Sequence, residues 1–318
     1  MLNKILLLLI INILSTMLLT QCAHDHTPGP LQDSRRLIII VIDGPRYTET
    51  WGDELNNRMP FQKDVLKPMG VLCTQFFNDG VTFTNPGHDA ITTGVNESIN
   101  NSGNEFPTNA SFFQYWRKQT GREATDEWII TSKDKLAVLA DCKDVSMKNQ
   151  FNPSTDCGIA GLATGYRDDT TTLRRALEIL KQYHPHVVLI QFKEPDVSGH
   201  ANDWNAYLNG ISSTDNYVQT IYQFLQSDSL YADNTDLFIT NDHGRHLDGW
   251  LDGFVNHGDT CYGCRHISLL AVGPDIKENK VVDEHHDLRD LNATMNYLLG
   301  IDDGYSEGEV MESVLRKE

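Results

Sequence analysis

The sequence predicts an α/β protein: a three-layer α/β/α sandwich with a mostly parallel central sheet, built as a single domain over residues 36–318. Three observations predict it. Apolar runs rich in β-branched residues recur at LIIIVI (37–42), HVVLIQF (186–192) and DLFIT (236–240), and such runs suit strands covered on both faces. Segments with helical apolar spacing stand between them. Each run also breaks off into acidic or Asp-His residues, at the end of a strand where open α/β sheets place their ligands.

Length and charge narrow the choices. The 318 residues give room for one large α/β domain or two small ones, and no repeat or low-complexity tract asks for a second. A net charge of −18 argues against a general nucleic-acid or anionic-membrane binder, since either wants a basic face. An anionic substrate stays open, because bound cations invert the local field. Residues 1–22 read as an export signal, with Lys4 as the basic start and an apolar run from Ile5 on. Ser15 and Thr16 interrupt that run, which argues against a transmembrane anchor. Residues 23–35, AHDHTPGPLQDSR, read as a flexible tether. An exported chain permits disulfides, and Cys142–Cys157 and Cys261–Cys264 are the expected pairs, leaving Cys73 buried and free. A Cys-x-x-Cys can also hold zinc or do redox chemistry, but no second such pair exists, so a structural zinc is not expected.

Along the chain, residues 58–70 read as a helix and loop. Residues 80–83 lead into Thr84-Asn85-Pro86-Gly87-His88, a strand-to-helix turn in which Pro fixes φ and Gly accepts positive φ. From His88 the chain reads as a helix. A hydroxyl at a helix start lies beside free N–H groups and the positive end of the dipole, which favours a bound anion. Thr84 is therefore read as a nucleophile that needs a metal or base to activate it, against the alternative that it caps the helix. Residues 108–120 read as a helix with positions 112, 113 and 116 on one face, and WIITS (128–132) as a strand followed by Lys133-Asp134-Lys135. Residues 140–169 read as a loop. Helices follow at 171–184, with Leu173, Ala176, Leu177 and Leu180 inward, and at 204–225, with Tyr217, Ile221, Phe224 and Leu225 inward. HISLLAV (266–272) is a strand, and residues 287–300 form a helix with a Gly stop.

The chemistry gathers at the strand ends. Asp43 follows the first run, Asp196 and His200 the second, Asp242 and His243 the third, and His257 precedes HISLLAV. Parallel strand ends converge on one sheet edge, so these side chains can meet. Carboxylate oxygens with imidazole nitrogens suit zinc or another borderline divalent ion. Two such ions a few ångströms apart would clamp the attacking and leaving oxygens of an in-line displacement. One Asp at a strand end is commonly a helix cap and one Asp-His pair a surface turn, whereas three such strand ends together with Thr84 point to a shared metal site.

On these residues the chain resembles the alkaline phosphatase superfamily, in particular its nucleotide pyrophosphatase/phosphodiesterase branch and the threonine-nucleophile phosphatases. Asp43-Gly44 is similar to the first metal motif. Thr84-Asn85-Pro86-Gly87-His88 resembles Thr-x-Pro-Asn-His, with Gly87 in place of Asn. Glu194-Pro195-Asp196-x-x-Gly199-His200 resembles Glu-Pro-Asp-x-x-Gly-His. Asp242-His243-Gly244 and Asn256-His257-Gly258 resemble the two late histidine motifs. The resemblance implies an alkaline phosphatase-like fold and two metal ions, zinc in expectation. Asp196, His200 and His257 would hold one, and Asp43, Asp242, His243 and the Thr84 oxygen the other. It implies a phospho-threonine intermediate on Thr84 and an Asn about twenty residues later that donates to a phosphoryl oxygen. Asn104 falls there, with Asn101 as the second choice. Lys133 and Lys135 are similar to a Lys-x-Arg pair that holds phosphoryl oxygens in threonine-type phosphatases. Two cations there favour the more highly charged monoester, although Lys135 replaces the bidentate Arg; Lys193 is a weaker candidate for the same role. The Cys/Ser-x-Pro-x-Arg signature of sulfatases is absent. Leu19-Thr20-Gln21-Cys22 resembles a bacterial lipobox, with Gln21 departing from it, so a lipid anchor at Cys22 is considered.

The expected activity is an exported phosphohydrolase acting on small phosphate esters, with a slight preference for monoesters and no nucleic-acid partner. The alternatives are a phosphodiesterase or nucleotide pyrophosphatase of the same superfamily, a non-catalytic surface protein binding metal or phosphorylated ligands, and, against the export signal, a phosphotransferase.

Overall fold

The centre of the sheet is β1 (Arg36–Ile42), buried along its whole length. Its odd residues Leu37, Ile39 and Val41 pack into one core and its even residues Ile38, Ile40 and Ile42 into a second, on the opposite face. Burial on both faces is why the run is apolar without alternation. This computed structural model describes residues 35–53 and 58–317. The expected export signal, Cys22 and residues 23–34 of the expected tether lie outside the described residues.

The other strands are β2 (Val71–Phe77), β3 (Glu127–Thr131), β4 (Ser154–Cys157), β5 (Val187–Phe192), β6 (Thr235–Thr240), β7 (His266–Val272), β8 (Lys280–Val282) and β9 (His286–Asp287). They form one mixed, mostly parallel sheet in the order β4-β3-β5-β1-β6-β7-β2-β8, with β9 beside β2. β7 runs antiparallel to both β6 and β2. Against one face lie α1 (Thr84–Thr93), α2 (Phe112–Thr120) and α7 (Leu288–Leu299), through residues such as Ile91, Phe113, Trp116 and Leu291. Against the other lie α3 (Asp169–Tyr183) and α5 (Trp204–Ser227), through Ala176, Leu180, Ile221 and Leu225. The short helix α4 (Asp196–His200) carries site residues at the sheet edge, and the short helix α6 (Tyr262–Arg265) leads directly into β7. β5 and β6 flank β1 in parallel register, Ile42 opposite Phe192 and Val41 opposite Thr240, so all three carboxyl ends open on the same edge. An α/β sandwich with a mostly parallel sheet is thus the observed architecture.

Several elements depart from the sequence reading. β2, VLCTQFF, is a strand where none is predicted; its register shifts between Cys73 and Phe76, which hides any regular pattern. β4 lies inside the predicted 140–169 loop, as a polar strand at the sheet edge. α1 starts at Thr84 rather than His88, so Pro86 and Gly87 sit in its first turn, where a missing N–H costs nothing. α2 starts at Phe112, capped by Ser111, which accepts from the Gln114 N–H. The expected disulfides are corrected: all of the described cysteines are free thiols. Cys142 packs with Ala110 and Met147 in a satellite cluster, whereas Cys157 ends β4 in the main core, so the two do not meet. Cys261 and Cys264 remain unjoined, and Cys73 is buried and free as expected.

Candidate active site

α1 places Thr84. Its N-cap is Phe83, which makes no side-chain cap, so the Thr84 hydroxyl is not spent on the helix end. Thr84 is buried, and its Oγ1 accepts from Lys133 Nζ at 3.2 Å. The helix start is pressed against the end of β6. A Cβ on Gly87 would stand 2.5 Å from the Asp242 carbonyl oxygen, which is the physical reason this position takes glycine.

Two half-sites are linked to the hydroxyl through the Lys133 ammonium, which touches a carboxylate of each. In one, Asp43 Oδ1 and Asp242 Oδ2 lie 3.5 and 3.4 Å from His243 Nε2. These three atoms are buried and have no hydrogen-bond partner. Each such orphan costs about 1–3 kcal/mol, so their convergence fits a cation and little else. The opposite atoms are occupied and hold the ligands in place: Asp242 Oδ1 accepts the N–H groups of Gly44 and His243, and His243 Nδ1 donates to the Gly244 carbonyl. In the other half-site, His200 Nε2 and His257 Nε2 face each other at 3.0 Å, and both lie near Asp196 Oδ1, at 3.3 and 3.4 Å. His200 Nδ1 donates to Asn256 Oδ1 and His257 Nδ1 to the Thr82 carbonyl. In all three rings the Nδ1 proton is committed outward and the Nε2 lone pair inward, as metal-binding histidines require. The half-sites adjoin: the His243 and His257 rings stack with centroids 3.8 Å apart, and ligand atoms of Asp196, His243 and His257 lie within 4.8 Å of one another. Asp196 and His200 sit one helical turn apart on α4, and the exposed His200 side of the centre opens to solvent.

The charge balance is uneven. Burial pushes the Asp43 carboxyl up to about 6, against the pull of Lys133. Burial and then the Asp43 charge raise Asp242 well above the usual range. Burial would raise Asp196 too, but Lys133, His200, His257 and Arg245 outweigh it and hold that carboxylate well below the usual range. Burial depresses His243 and His257, keeping the rings neutral and able to ligate.

Three supporting residues are not visible in the sequence reading, and a fourth has a second role. Lys133 is read there as a phosphoryl contact, yet its ammonium also bridges Asp196 Oδ2 at 2.7 Å and Asp43 Oδ2 at 2.8 Å. Gln191, next to the last residue of β5, donates to Asp43 Oδ2 and accepts from the Lys133 N–H, tying the two residues together. Arg245, two residues beyond His243, is fully buried against Asp196 and the Phe254 and Val255 carbonyls. Asn78 donates to the Asp242 carbonyl at 2.7 Å. Their signal is chemical rather than periodic: charged or amide side chains inside or just after apolar strands.

Lys135 Nζ reaches Asn101 Oδ1 at 2.8 Å, and the same oxygen accepts from the Asn85 N–H at the start of α1. Asn104 is exposed, so the structure brings Asn101, the second choice, beside the helix start. Lys193 points away, toward Asp168 at 3.5 Å. The 450 Å³ cleft lined by Pro68, Met69, Tyr222, Thr235, Gly273 and Arg316 lies at the opposite end of β6 and holds none of these residues.

A buried hydroxyl beside two sets of metal-ligating atoms, on an α/β sheet edge, defines a metal-dependent hydrolase. Residues 84–303 match the model of the metalloenzyme superfamily, and the chain belongs to that superfamily. No curated protein matches the sequence. Among solved structures, murine ectonucleotide pyrophosphatase/phosphodiesterase 5 is similar, with a TM-score of 0.63 and 14% identity, over 89% of this chain and 100% of its own. An alkaline phosphatase superfamily protein from Vibrio parahaemolyticus has a TM-score of 0.64 at 15% identity, covering 89% of this chain and 71% of its own. A phosphonate monoester hydrolase from Silicibacter pomeroyi has a TM-score of 0.62 at 13% identity, covering 87% and 76%. These likenesses establish the shared fold, in line with the superfamily that the sequence resembles.

Proposed function

We propose that the protein is an exported phosphohydrolase of small phosphate esters, acting through a phospho-threonine on Thr84 with a slight preference for monoesters. The observation that carries this reading is the Thr84 hydroxyl: buried, free of capping duty, and 3.2 Å from an ammonium that also touches one carboxylate of each half-site. Asp43, Asp242 and His243, with the Thr84 oxygen, would hold one divalent ion, and Asp196, His200 and His257 the other; zinc suits both sets. Bound there, such ions supply charge neutralisation for the attacking and leaving oxygens and lower the pKa of a coordinated hydroxyl.

The residues of the chain account for the rest. α1 fixes the Thr84 Oγ1 direction and turns the positive end of its dipole toward the phosphoryl position. Lys133, and Lys135 with Asn101, supply donors to the non-bridging oxygens. A bond forms between Thr84 Oγ1 and phosphorus while the ester bond breaks and the alcohol leaves, taking up a proton. Water then adds to phosphorus, Thr84 Oγ1 departs and regains a proton, and phosphate is released. Burial lowers the Lys135 ammonium to about 8, with Lys133 adding to the effect, so its charge on the phosphoryl side weakens in mildly alkaline solution. Phosphodiester cleavage is the second reading, favoured by the replacement of a forked guanidinium by Lys135.

Zinc-loaded wild type is expected to cleave p-nitrophenyl phosphate faster than the bis-p-nitrophenyl diester; a diester preference overturns the substrate class. Thr84→Ala is expected to keep its metals and lose turnover, and acid-quenched wild type to carry a phosphoryl group on Thr84. Turnover persisting in Thr84→Ala removes the nucleophile assignment. Export and a lipid on Cys22 are part of the same proposal and are read from the mass and fractionation of the mature chain.

A further inference from the structure

Beyond the catalytic centre, four side chains that the proposed reaction does not use converge on one point. His246, Asp259, Cys261 and Cys264 each offer a ligand atom, and these atoms all lie within 4.8 Å of one another. His246 is 4% exposed, and its Nε2 is buried with no hydrogen-bond partner. That nitrogen stands 3.3 Å from Asp259 Oδ2. Two nitrogen or oxygen ligands about 2.0 Å from a tetrahedral zinc stand roughly 3.3 Å apart, so the spacing fits. The ring is oriented for ligation, because His246 Nδ1 donates to Asp252 Oδ1 at 2.7 Å, which fixes the tautomer and presents the Nε2 lone pair to the cluster. Asp259 is braced by the Cys261 N–H on one oxygen and the Trp250 indole N–H on the other. The Cys264 N–H points at Cys261 Sγ, at 3.4 Å, a contact that a thiolate accepts well.

We infer that Cys261, Cys264, His246 and Asp259 form a third metal site, which takes zinc as a closed, four-ligand structural ion. Two sulfurs, an imidazole and a carboxylate suit a borderline-soft tetrahedral cation and disfavour magnesium or calcium. The site escapes the sequence because its other two ligands are a histidine and an aspartate, not a second cysteine pair. It closes the loop that carries His257, joining residue 246 to residues 259–264 on either side of it. A chain of contacts runs on from it: His246 to Asp252, Asp252 to the Asn256 amide, and Asn256 Oδ1 to His200 Nδ1 at 3.1 Å. The ion therefore braces two ligands of the catalytic centre without being one of its metals, and the inference stands whether or not the protein hydrolyses phosphate esters.

Metal analysis of the full chain loaded with zinc and desalted tests it. Wild type is expected to hold one zinc more than Cys261→Ser/Cys264→Ser, and Asp43→Ala/Asp242→Ala is expected to keep that ion. Cobalt-loaded wild type is expected to show a thiolate-to-cobalt charge-transfer band that survives in Asp43→Ala/Asp242→Ala and shifts in His246→Ala; it needs no cysteine variant to fold. Native thiol labelling is expected to spare both cysteines until a chelator is added. Equal zinc in wild type and the double serine variant, or no charge-transfer band, overturns the site. So does a Cys261–Cys264 disulfide in protein purified without reductant in the presence of zinc.

Discussion

Replacing Lys133 by Met separates charge compensation from catalysis. The ammonium lies 2.7 Å from Asp196 and 2.8 Å from Asp43, with all three side chains buried. Removing one partner of a buried ion pair costs about 3–5 kcal/mol, because the charge left behind has neither water nor a counter-ion. The cost falls at the low end here: the Asp43 carboxyl already sits at about 6 and can take up a proton. At about 2–4 °C per kcal/mol for a large domain, a loss of about 3 kcal/mol lowers Tm by about 6–12 °C. That figure applies to protein stripped by a chelator. With divalent ions bound, the same carboxylates have other counter-charges, and the fall shrinks to a few degrees. Lys133→Met also removes a positive charge that an arriving cation must face, so zinc affinity rises. Monoester turnover falls by about 10²–10³, the usual effect of losing one donor to a developing oxyanion. Scanning calorimetry in chelator and in excess zinc, with zinc titrations and p-nitrophenyl phosphate rates, reads all three. Equal destabilisation in both metal states, or weaker zinc binding, refutes the view that Lys133 shares its field with the metals.

Three further outcomes are expected. Asn101→Ala lowers kcat/KM at least tenfold, through the lost contact to Lys135 and the α1 start, whereas Asn104→Ala stays within twofold; the reverse order returns the role to Asn104. The pH dependence of metal loading follows from Asp43. Its folded value of about 6 lies above the ordinary 3.8, so the folded chain binds the extra proton between those values. As pH rises through that window the metal-free protein loses stability while metal binding gains, because the ion needs the carboxylate. Below about pH 6 zinc affinity falls about tenfold per pH unit on this group alone, measured by competition with a chelating dye; loading that is flat from pH 5 to 7 contradicts it. Gly87→Ala drives a methyl into the Asp242 carbonyl at 2.5 Å and costs about 1–3 kcal/mol, read from Tm and from slowed turnover, since both Thr84 and Asp242 must shift.

Much of this architecture is legible in the residues themselves, and the reason is burial. LIIIVI, HVVLIQF and DLFIT are apolar on both faces because helices cover both, and that pattern survives without any knowledge of neighbours. The Asp and His residues that follow are conspicuous because hydrophilic groups so seldom end a buried run in convergent sets. What burial conceals is the opposite class of residue. Lys133 reads only as a phosphoryl contact and Arg245 gives no periodic signal at all, yet both are buried against carboxylates that lie far away in sequence. Gln191 reads as one polar interruption of a strand, yet it ties Asp43 to Lys133. Asn101 and Asn104 are indistinguishable as letters, and only the path of the loop between them decides which faces α1. β2 escapes because its register shift breaks the apolar pattern, and β4 because an edge strand can be polar. The cysteines mislead for a different reason: an expectation of export suggests bridges between neighbours in sequence, whereas the fold sends Cys142 and Cys157 into separate clusters.

Anomalous diffraction at the zinc edge, from crystals of the zinc-loaded protein, reads the catalytic centre most directly. Two peaks a few ångströms apart are expected at the ends of β1, β5 and β6. One lies among Asp43, Asp242 and His243 within bonding distance of Thr84 Oγ1, and the other among Asp196, His200 and His257. A fully loaded crystal with no peak among these side chains, or with its catalytic-edge ions beyond reach of the Thr84 hydroxyl, would contradict a metal-activated threonine.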